Sequence, residues 1–492
     1  MTDAPAPARA GWAVAALSLG TLLNPLNSSM IAVALVPLQR DFQVSVTTVT
    51  WVVTSFYLAS AAGQPLMGRF ADRFGPRRLF LFGMLVVALA CAATPFVSSF
   101  AAVCAGRVAL AVGTATAFPS AIAMLRAVAA SSAVGTPRLL GRIQIANTSG
   151  AAIGPVLGGA LVTFLGWQAI FWVNIPLAAL AFVGVSVFAP READPRSQTM
   201  TSVAGSLGAG VAGPLRAPSE LHRAPLRRIV AESDVPGILL FVTTLTALLI
   251  FLLDLRPQPL WWLLPVVPIA AALFVWRELR TRHPFLDLRL LAANRRLLMV
   301  YLCFAVFNVV YYSAFFGLPQ YLQEHGGYSA GITGLLMFPL AAVTIAVTPL
   351  AARAIEGVGL RPTLLAGASA LVVGAVLLGF AAATTAPWVM LALTAGLGIP
   401  YCVVSIAMNQ SLYSAARPED AGVAAGIFQT SRYVGAIVAT TVLGLLFSTG
   451  TTSGSWLAVV SIASGLAVVH LCLLVFVRPR GRIRGATEAA PS

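Results

Sequence analysis

Long apolar runs separated by short polar turns dominate the chain. A helix that crosses a bilayer needs about 20 apolar residues. Runs of that order recur at 12–36, 49–67, 79–97, 101–125, 143–165, 168–190, 235–254, 259–276, 297–319, 331–351, 363–383, 386–409, 421–447 and 455–477. The pattern predicts an all-α integral membrane protein with fourteen spans. The interruptions are unequal. The longest, rich in Ser, Pro, Gly and Arg, ends near Asp234 and has the composition of a flexible linker. A second, RELRTRHPFLDLRLLAANRR, occupies 277–296. The expected organisation is therefore a six-helix bundle (1–190), a cytoplasmic linker (191–233), two extra spans (234–277), a connector (278–296), a second six-helix bundle (297–478) and a cytoplasmic tail (479–492).

The polar turns repeat. PLMGRFADRFGPRR at 65–78 returns in altered form as PLAARAIEGVGLRP at 349–362. At an offset of 284, Pro65, Leu66, Arg69, Gly75 and Arg77 match Pro349, Leu350, Arg353, Gly359 and Arg361, and Asp72 meets Glu356. Both turns join the second and third spans of their half. Two inserted spans leave the orientation of the second half unchanged, so the repeats are parallel, as in transporters built from duplicated halves.

Composition fits this picture. The 492 residues are 58% hydrophobic and only 10% charged, against roughly 25% in soluble domains. The net charge of +15 is all arginine in origin, because the chain has no lysine. With the N-terminus inside, 27 of the 31 arginines fall in cytoplasmic loops and tails. That asymmetry orients the protein in a plasma (inner) membrane with both termini cytoplasmic, and it argues for lipid rather than nucleic acid as the partner of the charge. The five cysteines lie in apolar runs without metal-ligand spacing, and the four histidines are scattered. No P-loop is present, and no nucleophile has a visible base, so the reading is not an enzyme, with no cofactor and no metal.

Three features carry chemistry. Gly68, Arg69, Asp72, Arg73, Gly75, Arg77 and Arg78 form a tight charged turn that can latch one conformation; the plainer reading is a loop that only sets topology. GAAIGPVLGGAL at 150–161 places Gly150, Gly154 and Gly158 on one helix face, with Pro155 and Gly159 beside them. Such a face is a smooth groove for another helix, and ordinary small-residue packing is its commoner meaning. Finally, Arg107 and Arg432 sit inside spans, where a central arginine costs about 2.5 to 3.5 kcal/mol on insertion scales. Arg107 can either face a polar cavity or reach the interface. Arg432 lies about 11 residues into its span, roughly 16 Å at 1.5 Å per residue.

Together these motifs resemble the major facilitator superfamily, and more narrowly its fourteen-span drug:proton antiporter family. GRFADRFGPRR is similar to that family's cytoplasmic loop motif, Arg107 through Gly113 to its fourth-helix motif, and residues 150–161 to its exporter motif. GWQAIFWVNIP (166–176), HPFLDLRLLAANRR (283–296) and AGIFQTSRYVGA (425–436) also resemble its segments. The resemblance implies multidrug efflux by alternating access, driven by the proton gradient and performed by a monomer on small amphipathic substrates. A uniporter or importer of a small neutral or anionic metabolite is the alternative.

One departure bears on coupling. The family's first span usually carries an Asp where this chain has Asn27, and Asn27 cannot titrate. Asp41, Asp254 and Glu324 lie near outer ends and Asp234 near an inner end. Coupling through Glu324 or Asp41, through an ionisable group on the substrate, or not at all, remain three readings. Candidate lining groups between the halves are Asn24, Asn27, Gln144, Asn147, Asn308, Tyr311, Tyr312, Asn409, Gln429, Arg432 and Tyr433; each can equally bridge two helices. An interior holding Arg107 and Arg432 favours neutral or anionic substrates over dications.

Overall fold

The computed structural model describes residues 7–130, 136–189, 234–253, 260–281, 289, 294–416 and 421–476. The linker at 191–233, most of the connector and the tail at 479–492 lie outside them. The described residues are helical, without strands. The first half contains α1 (Pro7–Asp41), α2 (Val46–Val49), α3 (Trp51–Phe74), α4 (Pro76–Ala93), α5 (Phe100–Ala115), α6 (Ala117–Ala130), α7 (Thr136–Leu165), α8 (Ala169–Trp172) and α9 (Asn174–Phe188). A hairpin follows, α10 (Val235–Leu253) and α11 (Leu263–Arg280). The second half contains α12 (Arg295–Glu324), α13 (Ala330–Gly357), α14 (Leu360–Leu377), α15 (Phe380–Ala383), α16 (Pro387–Ala415), α17 (Ala421–Leu446) and α18 (Ser453–Phe476).

Eleven helices among the described residues are long and apolar enough to cross a membrane. The three predicted spans outside that set are also helical. In α10 the strongly apolar stretch is short, Pro236–Leu248. Arg277, Glu278 and Arg280 end α11, and α17 carries Gln429, Thr430, Ser431 and Arg432 in its middle. Helix starts follow local chemistry: Ser99, Asn294 and Ser329 accept hydrogen bonds from the amides of Ala102, Leu297 and Ile332.

The packing is duplicated. In the first half α1 packs on α7 and α9, α3 on α5, and α4 on α5 and α9. In the second half α12 packs on α17 and α18, α13 on α16, and α14 on α16 and α18. Between the halves, α7 crosses α13, and its counterpart α17 crosses α3. The repeated turns match as well. Gly75 ends α3 with φ 89° and Gly359 starts α14 with φ 105°, a region that glycine alone enters at little cost. Two residues on, Arg77 Nη2 donates to the Ser186 carbonyl of α9 at 2.6 Å, and Arg361 Nη2 donates to the Val475 carbonyl of α18 at 3.3 Å.

The α10–α11 hairpin leans on the seam between the halves. Ile238 and Phe274 pack with Ala62 and Leu66 of α3, and α10 also touches α17. Asp234, fully buried, starts the hairpin: its Oδ1 accepts from the Gly237 amide at 3.2 Å and from Arg277 Nε at 2.7 Å.

Candidate substrate site between the halves

Hydrogen bonds between the halves gather toward the end that carries Asp41 and Glu324. Thr47 donates to the Gly444 carbonyl at 3.0 Å, Thr54 and Thr440 share a bond of 3.1 Å, and Gln323 donates to the Val33 carbonyl at 3.1 Å. The deepest contact is Gln64 Nε2 donating to Tyr433 Oη at 2.6 Å. A recess of about 660 Å³ opens beyond this zone, lined in part by Arg40, Asp41, Trp167, Gln323 and Tyr328. Trp167 Nε1 donates to Asp41 at 2.7 Å, and Glu324 accepts from Thr451.

The glycine motif acts on two partners. Gly150, Gly154 and Gly158 face α1, where an added Cβ would meet Leu22, Ser29 and the backbone of Met30. Gly159 faces α13 across the halves, with the Ala330 carbonyl 2.6 Å from its notional Cβ. Gly334 of α13 answers it, its notional Cβ falling against the Pro155 carbonyl. Close approach of two backbones at this crossing requires glycine on both sides.

Arg107 and Asn27 form a closed polar knot inside the first half. Arg107 is 1% exposed. Its guanidinium sits 4.3 Å over the Phe56 ring, Nε donates to the Val52 carbonyl at 3.2 Å, and Nη1 to the Asn27 carbonyl at 3.5 Å. Asn27 and Asn174 exchange amide hydrogen bonds. Asn24 donates to Thr114 at 3.1 Å, a further bridge within the same half. These groups tie α1, α3, α5 and α9 together.

Arg432 has a different setting. It keeps part of its surface exposed, and Nε donates to Tyr312 Oη at 2.9 Å. Tyr57, Tyr312, Tyr401 and Tyr433 lie close enough to feel its charge. The Tyr57 ring stands 5.6 Å from both Tyr312 and Tyr433, and Tyr311 stacks on Tyr401 at 3.9 Å. This cluster joins α3 of one half to α12, α16 and α17 of the other. A planar cation among aromatic faces can bind a flat ligand with a polar group by stacking and by paired hydrogen bonds.

The remaining candidates divide. Asn308 is buried and donates to the Phe304 carbonyl of its own helix. Asn147, Asn409 and Gln429 are half-buried, and Asn147 Oδ1 is buried without a partner among the described residues. In the charged turn, Gly68 lies 3.9 Å, from its notional Cβ, to Pro119; Arg73 is half-buried and Arg78 exposed. The side chains of Arg69, Asp72 and Gln144 are outside the described set. Sequence reasoning passed over Tyr57, Gln64, Asn174 and Tyr401. Gln64 and Asn174 carried the same signal as the residues chosen, a polar group in an apolar run. The two tyrosines carried none that separates a site from core packing.

The Major Facilitator Superfamily model matches residues 17–440. An uncharacterized MFS-type transporter of Bacillus subtilis, YwoD, is 36% identical over 438 residues, covering 88% of this chain and 89% of the relative. The multidrug resistance protein Stp of Mycobacterium tuberculosis is 28% identical over 436 residues, covering 87% and 74%. In fold, the crystal structure of the nucleoside transporter NupG is similar with a TM-score of 0.63 at 12% identity, covering 94% of this chain and 99% of that one.

Proposed function

Because the chain belongs to the Major Facilitator Superfamily, whose members are transporters and not enzymes, we propose that it exports small amphipathic compounds by alternating access. The observation that carries this reading is the Arg432–tyrosine cluster. It lies where the halves meet, beside inter-half hydrogen bonds gathered toward one end of the bundle. Similarity to a multidrug resistance protein at 28% identity supports export as the direction.

In this reading the Glu324 end faces outward and the Gly75 end faces the cytoplasm, as the arginine distribution requires. All fourteen helical segments cross the plasma membrane, α10 and α11 as peripheral additions. The structure then corresponds to a state closed outward, and rocking of the halves opens the other face. The turns at Gly75 and Gly359 hold their neighbouring helix ends as rigid corners of that motion, with Arg77 and Arg361 as the pins. A monomer suffices, since one chain supplies both walls of the site.

We propose the proton gradient as the driving force on resemblance, with Glu324 or Asp41 as the carrier. One observation favours the second reading, uniport: Asn27, at the position of the family's carboxylate, is held in a neutral amide pair. Proteoliposomes with an imposed pH gradient separate the two. Efflux that follows the gradient supports coupling, and efflux that ignores it supports uniport. The export reading itself is tested by drug accumulation in an exporter-deficient host. Wild type lowers accumulation, and Arg432→Ala reaches the membrane without doing so. Equal accumulation with and without the wild-type protein, across a broad panel, contradicts export.

A further inference from the structure

The Arg432 site holds a positive charge with no carboxylate paired to it among the described residues. We propose that this guanidinium receives the acidic group of a planar aromatic anion, a carboxylate, sulfonate or phenolate on a ring, in preference to aromatic cations and neutral arenes. The inference rests on the export reading and narrows its substrate class.

Four observations converge. First, only Nε of Arg432 is engaged, by Tyr312, and the two Nη groups make no hydrogen bond among the described residues. They are the pair that meets a carboxylate or sulfonate through two parallel bonds. Second, the other interior arginine cannot do this work. Arg107 is sealed at 1% exposure, stacked on Phe56 and directed at backbone carbonyls. Third, the position where the family carries a carboxylate is here Asn27, held in a neutral amide pair with Asn174, so it supplies no negative charge to neutralise Arg432 or attract a cation.

Fourth, the walls suit a ring with a charged edge. The Tyr57 ring stands 5.6 Å from the rings of both Tyr312 and Tyr433. Tyr433 Oη accepts from Gln64, which leaves its proton to donate elsewhere. Tyr57 Oη is buried with no hydrogen-bond partner among the described residues, a second phenolic donor without an acceptor there. Tyrosine faces also attract cations, but here a cation sharing those faces is repelled by Arg432. An anion instead gains the guanidinium, the phenolic donors and the stacking together.

The test uses three bicyclic probes of matched size and fixed charge: naphthalene-2-sulfonate, N-methylquinolinium and 2-naphthamide. Their binding to the purified full chain in lipid nanodiscs is measured by calorimetry. Wild type is expected to bind the sulfonate about tenfold or more tighter than the other two, a difference of one decade in Kd. Arg432→Gln removes that preference, and Arg432→Lys, which keeps the charge without the planar fork, retains part of it. Thermal melting shows that each variant is folded. The proposal is overturned if wild type binds the cation or the neutral arene as well as the sulfonate, if none of the three binds, or if the preference survives in folded Arg432→Gln. Proteoliposome flux separates this outcome from the export reading. Sulfonate preference without outward movement of any probe defeats export and leaves the anion site standing. Outward movement of the quinolinium alone defeats the anion site and leaves export standing.

Discussion

Asn27 and Asn174 exchange two hydrogen bonds, Asn27 Nδ2 to Asn174 Oδ1 at 2.6 Å and Asn174 Nδ2 to Asn27 Oδ1 at 2.9 Å. They lie 147 residues apart and are 2% and 0% exposed. A reciprocal amide pair is satisfied only while both members remain. Asn27→Ala or Asn174→Ala alone leaves a buried amide short of a partner, at about 1–3 kcal/mol each. The double variant is expected to lose less than the sum of the two. A double-mutant cycle by thermal melting in a fixed detergent reads the coupling, and additive losses contradict the pairing.

The glycine motif makes two separable predictions. Gly158→Ala sets a methyl group 2.8 Å from the Met30 carbonyl, inside the first half. Overpacking of that kind costs about 1–3 kcal/mol, so the melting temperature falls. Gly334→Ala presses on the Pro155 carbonyl across the halves. There the two halves can part, so the change is expected in conformation more than in melting. Labelling of a cysteine placed at Thr440 should rise at least severalfold in Gly334→Ala and change little in Gly158→Ala.

The duplicated turns should respond alike. Gly75→Ala and Gly359→Ala each force a side chain to positive φ, at about 1–2 kcal/mol. Similar melting losses in both variants are expected. A loss at Gly75 with none at Gly359 contradicts structural equivalence of the two turns.

The hairpin anchor is a buried charge with one ionic partner shown. Arg277→Ala removes the 2.7 Å bond to Asp234 and leaves its carboxylate held by the Gly237 amide. A loss of about 1–3 kcal/mol follows, together with faster protease cleavage near residue 234. Asp234→Asn keeps the amide contact and should lose less. Equal protection of both variants and wild type would remove the anchor from the account.

Much of the architecture was legible in the sequence because membrane spans announce themselves by length. The 284-residue offset found the duplicated turns, since glycine between arginines is an unusual string in an apolar chain. Arg432 stood out for the same reason. The partners did not. Tyr57 and Tyr401 look like any aromatic residue in a span, and only the packing of α3 and α16 brings them to Arg432. The glycine register gave one helix face but not its occupant. A step of one residue turns a helix by about 100°, so Gly158 meets α1 while Gly159 meets α13. Arg107 gave the same signal as Arg432 and is enclosed, because Phe56 and two backbone carbonyls fill its surroundings. Exposure within a bundle is a property of several helices, and no single span encodes it.

Alternating access requires the two halves to move apart and together around the Arg432 site during transport. Thr54 and Thr440 oxygens lie 3.1 Å apart across the halves. With the five native cysteines replaced by Ser, Thr54→Cys and Thr440→Cys are expected to cross-link readily under oxidation. Transport should then fall by tenfold or more and return on reduction. Cross-linked protein that transports at the uncross-linked rate contradicts the account.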